Sequence, residues 1–166
     1  MSTAAAQKTS QSETQGTRQF FVFGVDRQMY ALPLEAVEKV IRSVELTRVP
    51  NAPELVLGLI NLRGRTIPVV NIRRYFGLPE REMEIEDYLV IARTSTWRIA
   101  FLVDWVHGVE SVDESDMDRS GELFPEMDEY IQGVCHLGQK SVIIYDSDSL
   151  LSTKDASRLE KSMGGR

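Results

Sequence analysis

Apolar side chains in this chain come in short runs broken by glycine, proline or charged clusters, and none recurs at helical spacing over a long stretch. That pattern predicts many short strands and no long amphipathic helix. Residues 1–18 hold few large apolar side chains and read as a flexible arm. The run Phe20-Phe21-Val22-Phe23-Gly24-Val25 is aromatic and β-branched, which predicts a strand covered on both faces. Asp26-Arg27-Gln28 turns it onto Met29-Tyr30-Ala31-Leu32, and Pro33, with no N–H to donate, ends the pairing. Residues 37–42 predict a further strand, and Pro50 and Pro53 bracket an irregular turn. Residues 55–62 and 66–70 flank Arg63-Gly64-Arg65, a hairpin in which Gly64 supplies a positive φ. Asn71 is the expected N-cap of a helical turn over residues 72–76, and Gly77 its C′ residue. After a charged connector at 79–86, residues 88–92 and 99–106 predict a second hairpin.

The far half repeats the near one. Residues 133–146 align without gaps on residues 58–71, with Gly58/Gly133 and Leu62/Leu137 identical and the apolar positions largely in step. Asn71 is matched by Asp146, and Tyr75-Phe76 by Leu150-Leu151. Each half reads as strand, hairpin, strand, cap, short helix. An offset of 75 residues is too long for a solenoid unit and fits two similar β-lobes. The expected architecture is an all-β barrel pair, with a single nine- or ten-stranded sandwich as the alternative. The polar tail after Ser152 carries Leu159 and Met163 at helical spacing and predicts a short helix.

Composition narrows the function classes. Of 166 residues, 42% are apolar and 27% charged, ordinary for a globular protein and wrong for disorder. Lys plus Arg is 19 against 25 Asp plus Glu, a net charge of −6 with no basic cluster, which argues against nucleic-acid or anionic-membrane binding. The single Cys135 excludes an intrachain disulfide and fits a reducing compartment. The start lacks the apolar stretch of a signal peptide, and the longest apolar runs fall far short of the roughly 20 residues that span a bilayer. A soluble, cytoplasmic protein with no direct membrane insertion is expected.

Candidate chemistry is sparse. Cys135 and His136 are neighbours on a predicted strand and point to opposite faces, so with His107 they make no zinc site. Asp116-Met117-Asp118-Arg119-Ser120-Gly121 opens like a calcium loop, but its twelfth position is Met127 in place of a bidentate glutamate. There is no phosphate-cradling glycine motif and no nucleophile elbow, and pairs such as Asp113-Glu114 lie in acidic turns where nothing raises one pKa. No metal, no cofactor and no enzymatic activity are expected. What stands out is apolar material at Phe21, Leu34, Val37, Val44 and Leu46, which serves either as core or as a docking surface. Arg63 and Arg65 are either solvated turn residues or guanidinium groups that fix a partner. The residues by themselves indicate a β-rich binding module.

The block from Val49-Pro50-Asn51-Ala52-Pro53 through Gly58 and Asn61-Leu62-Arg63-Gly64 to Val69-Val70-Asn71-Ile72-Arg73 strongly resembles the signature of CheW-like chemotaxis coupling proteins. The likeness continues at residues 20–25, 37–41, 101–109 and 131–133 and so covers residues 19–151, between the arm at 1–18 and the tail at 152–166. It implies two pseudo-symmetric, SH3-like, five-stranded β-barrels with short helices. It also implies a non-enzymatic adaptor that couples chemoreceptors to the histidine kinase CheA through the kinase's regulatory domain, in the cytoplasm and recruited to membrane receptor arrays. Carried over by motif position, Phe21, Leu34 and Val37 would face the kinase. Gly58, Asn61, Arg63, Val106 and His107 would border a groove between the lobes where the receptor's helical tip packs. Lys39 stands where some family members are acidic, and His107 where an apolar residue is common. The competing class is a stand-alone sensor holding a small molecule in that groove.

Overall fold

In the computed structural model, which describes residues 16–95, 97–119 and 131–150, eleven strands form two sheets. The strands are β1 (Thr17–Val25), β2 (Gln28–Pro33), β3 (Val37–Arg42), β4 (Val56–Leu62), β5 (Arg65–Val70), β6 (Tyr88–Arg93), β7 (Arg98–Val103), β8 (Trp105–Asp113), β9 (Asp118–Arg119), β10 (Ile131–Leu137) and β11 (Lys140–Tyr145). Helix α1 (Ile72–Phe76) follows β5, and 3₁₀ turns occupy Leu34–Ala36, Glu114–Asp116 and Ser147–Leu150. One sheet runs β8-β1-β2-β11-β10-β9 and the other β3-β6-β7-β5-β4.

Place for place, β8, β1, β2, β11 and β10 correspond to β3, β6, β7, β5 and β4. In each sheet a hairpin (β1–β2 or β6–β7) joins the second hairpin through a parallel pair, β2–β11 or β5–β7. The sixth strand, β9, is two residues long, and the single bridge Thr47–Leu59 occupies its place beside β4. These are the two five-stranded, SH3-like barrels that were expected. The lobes are nevertheless not the two halves of the chain. β3 leaves the β1–β2 hairpin to pair with β6, and β8 leaves the β6–β7 hairpin to pair with β1. One lobe is therefore the continuous span from β3 to β7, and the other joins β1–β2 to β8–β11. Phe21 and Val37, both expected to face the kinase, lie in different sheets.

Strand alternation sends side chains to three interiors. Phe20 and Val22 of β1, Met29 and Ala31 of β2, and Val142 and Ile144 of β11 fill the first barrel with Cys135. Ile60, Ile67, Val69, Leu89, Ile91 and Ala100 fill the second. The intervening positions (Phe21, Phe23, Val25, Tyr30, Leu32, Val90, Ala92, Ile99, Phe101 and Val103 among them) face the other lobe and form the largest core. The central strands β1, β2, β6 and β7 are covered on both faces, as the unbroken apolar run at 20–25 predicts for β1. Tyr30 stacks on Phe76 with ring centroids 3.8 Å apart, and Tyr145 closes on Phe76 at 4.5 Å.

Several local expectations change. The predicted strand 99–106 breaks at Asp104, where the chain crosses from one sheet to the other. β1 already pairs at Thr17 and Arg18, opposite Asp113 and Val112. Asn71 occupies the N-cap position without a side-chain cap, and its amide Nδ2 donates to Glu80 Oε1 at 3.1 Å. Gly77 ends α1 in the left-handed region, at φ 67°. The predicted tail helix and most of the calcium-like loop lie outside the described residues.

Candidate interaction surfaces and the clasp between lobes

The residues expected to face a kinase converge on the inter-lobe core at the crossover from β2 to β3. Phe21 is 7% exposed and sits within that core, its ring 6.2 Å from Phe23, so it underlies the surface instead of offering a side chain to it. Leu34 and Val37 are half-buried and pack on the same core. Val37 pairs with Ala92 just before a bulge at Glu38, whose Oε1 accepts from Arg93 Nη2 at 2.6 Å and Arg98 Nε at 3.0 Å. Burial alone would push the Glu38 carboxyl up; the hydrogen bonds from Arg93 and Arg98 outweigh it and hold its pKa below the usual value.

The residues expected to meet a receptor divide into two groups. Gly58, Asn61 and Arg63 belong to β4 and its turn. Gly58 is buried, and a Cβ there would lie 2.8 Å from the Thr47 carbonyl oxygen. Arg63 and Gly64 both have positive φ, 52° and 80°, as a two-residue turn between twisted strands requires. Asn61 Oδ1 accepts from the Gly64 N–H at 2.9 Å and fixes the turn, leaving Arg63 exposed. Val106 and His107 lie on β8 in the other sheet. Val106 is half-buried against the inter-lobe core, the place in its sheet that Val37 holds in the other. His107 bulges out of the β8–β1 pairing and meets Glu110 at 2.8 Å. No hydrogen bond or ion pair among the described residues joins the two groups.

The lobes meet directly across the inter-lobe core. A concavity of about 730 Å³ lies on the β3–β7 lobe. Leu46, Leu57, Met83 and Leu102 line it together with Arg48, Glu80, Arg81 and Glu82. Leu57 is the chain neighbour of Gly58.

Charge, which the sequence reading left unassigned, joins the lobes. Arg73 of α1, 7% exposed, pairs through Nη1 with Asp26 Oδ1 in the β1–β2 turn at 2.8 Å. Its Nη2 reaches both Asp104 oxygens at 2.8 and 2.9 Å, and Nη1 donates to Pro79 O at 2.9 Å. Arg81 adds a fork to Asp87 at 2.7 and 2.9 Å and reaches Asp104 Oδ1 at 2.6 Å. Asp104 also accepts from the Asp26 N–H at 2.6 Å, while its own N–H donates to Gly24 O at 2.9 Å. The Asp87 hydrogen bonds raise the Arg81 pKa against a smaller opposing effect of burial, so the guanidinium is permanently charged. These partners are up to 78 residues apart in the chain, and no local spacing signals them. Cys135 is 2% exposed, and burial, with a contribution from Glu110, pushes its thiol up, so it is a poor nucleophile.

The described residues form two small barrels that share a core and are clasped by charge, and no group of three or more metal-binding side chains occurs among them. Residues 19–155 match the family model described as CheW-like domain. The chain is 32% identical over 129 residues to the chemotaxis protein CheW of Thermotoga maritima, covering 78% of this chain and 84% of that one. It is 26% identical over 146 residues to the chemotaxis protein CheW of Bacillus subtilis, covering 87% and 94%. The crystal structure of the scaffolding protein TtCheW from Thermoanaerobacter tengcongensis superposes with a TM-score of 0.75 at 26% identity, covering 83% of this chain and 94% of that one. The chain belongs to the CheW-like family. It is a chemotaxis coupling adaptor and not an enzyme. No helix among the described residues is long and apolar enough to cross a membrane.

Proposed function

We propose that this adaptor works in the cytoplasm, at membrane receptor arrays, where it joins the regulatory domain of the histidine kinase CheA to the cytoplasmic tip of a chemoreceptor. Leu34 and Val37 form the kinase-facing surface, with Phe21 supporting it from beneath. Asn61 and Arg63, on the turn beside Gly58, and Val106 and His107 on β8 form the receptor-facing side. The observation that carries this reading is the β4–β5 turn. Asn61 locks it, its two positive φ angles fix its shape, and it presents the Arg63 guanidinium to solvent on a rigid mount. A preorganised guanidinium forks onto carboxylates or backbone carbonyls at little entropic cost. On the same lobe, the concavity lined by Leu46, Leu57, Met83, Leu102 and four charged side chains offers a helical tip a seat.

Reconstitution tests it. Kinase activity is measured with and without this protein in the presence of receptor, and rises only when all three are combined. Arg63→Ala should leave a folded protein whose receptor-dependent activation falls by about ten-fold, and Val37→Asp should weaken kinase binding by about as much. Activation that is indifferent to Arg63, or calorimetric affinity for the kinase domain that is indifferent to Val37, removes that residue from its surface.

A further inference from the structure

Two contacts reach from one lobe to the other at equivalent places in the pseudo-symmetric pair. Arg73, in the helix after β5, meets Asp26 in the β1–β2 turn at 2.8 Å. Its counterpart 75 residues on, Asp148 in the 3₁₀ turn after β11, accepts from the Ser95 N–H in the β6–β7 turn at 2.6 Å. The two are unequal. Asp148 is an exposed carboxylate on one backbone N–H. Arg73 is a buried fork that also grips Asp104, the residue at which the chain passes from β7 to β8, and Arg81 shares the Asp104 Oδ1 with it. The opposite crossover, Leu34–Ala36, has no such anchor among the described residues: its own contacts with the core are apolar.

A buried ion pair is a weak source of stability, because desolvation offsets most of the attraction. A two-pronged, charge-assisted fork does admit very few geometries. We infer that Arg73, Asp104 and Arg81 are positioning residues that hold the two lobes at one angle, and that receptor occupancy reaches the kinase only while that angle is held. The inference rests on the proposed receptor–kinase coupling. Val106 follows Asp104 by two residues, whereas Val37 follows the unanchored crossover. A slip at Asp104 therefore alters the distance between the two candidate surfaces while leaving each intact.

The experiment compares Asp104→Asn, which keeps the side-chain size and removes the charge, with the unsubstituted protein. Three quantities are read: affinity for the kinase regulatory domain, affinity for a receptor-tip fragment, and receptor-dependent kinase activation. Spin labels at Ser111→Cys on β8 and Thr66→Cys on β5 report the inter-lobe distance, Cys135 being too buried to react. Both affinities should stay within about two-fold while activation drops by about five-fold or more and the distance distribution broadens. Unchanged activation overturns the inference, as does a loss that only follows one affinity with the distribution unaltered. Should Asp104→Asn not fold, Arg81→Gln leaves the Arg73–Asp104 pair in place and should broaden the distribution to a lesser degree; an unbroadened distribution there is equally fatal. An unsubstituted protein that binds neither fragment ends the coupling role and this inference together.

Discussion

Gly58 and Gly133, the identical glycines of the internal repeat, have one physical cause. A methyl group at Gly58 would come within 2.8 Å of the Thr47 carbonyl oxygen, and at Gly133 within 2.7 Å of that of Asp118. In each lobe a short neighbouring segment crosses the strand so closely that no side chain fits, and a backbone carbonyl cannot swing aside as a flexible side chain would. Gly58→Ala should therefore lower unfolding stability by about 1–3 kcal/mol, read as a shift of the urea midpoint at constant slope. The repeat makes both glycines visible in the sequence, but not the carbonyl that demands them, because Thr47 and Asp118 lie well outside the aligned blocks. Gly64 and Gly77 were legible with their reasons, since turn and helix-end chemistry is local. Asn71 was half legible: its position is right, but its side chain makes no cap and its amide donates to Glu80.

Most strands could be placed from the apolar runs and the turns between them. What escaped was the partition of residues 99–106 into β7 and β8, since an apolar run cannot reveal that the chain changes sheet at a lone aspartate. The bulge in β3 illustrates an effect at the same scale. Arg93 and Arg98 stand opposite each other across the β6–β7 pair, a like-charge arrangement that disfavours the sheet, and Glu38 sits between them. Its carboxyl is held below the ordinary value of 4.5. A lowered folded pKa stabilises above the unfolded value, and the benefit disappears as the pH falls through the folded one. Glu38→Gln should thus cost roughly 0.5 kcal/mol at neutral pH, once solvent screening of these partly exposed groups is allowed for. Chemical denaturation at neutral pH and in the acid limb measures it, and the difference from the unsubstituted protein should close below the carboxylate range.

For the molecule as a whole, the shared core decides behaviour. The pairing of similar lobes was readable from the repeat, but their composition was not, because β3 and β8 carry patterns that would suit either sheet. The clasp around Asp104 was invisible for the same reason: its members meet only after the lobes have assembled. With the largest core lying between the barrels, the lobes should unfold in one transition, and its alkaline limb is accessible through Tyr30. Burial raises the Tyr30 phenol to about 12 from 10.0, with Asp26 adding to the rise and Arg73 opposing it. The unfolded chain then loses this proton first, so stability is full below about pH 10 and falls by up to roughly 3 kcal/mol by about pH 12. Tyr145, raised further by burial and by Tyr30, adds to the fall. Urea midpoints near pH 9 and pH 11.5 should converge in part for Tyr30→Phe, about as far as one tyrosine's share.

The exchange of β3 and β8 also sets an order of events on the ribosome. The β3–β7 lobe is contiguous and can close while the rest of the chain is still being made, whereas β1 must wait for a partner 81–96 positions downstream and β2 for one 113 positions downstream. In the nascent chain the aromatic hairpin of β1 and β2 has only the finished barrel to lean on. β1 and β2, made before the inner lobe, are thus among the last strands to reach their final neighbours, and the inner lobe serves as their template.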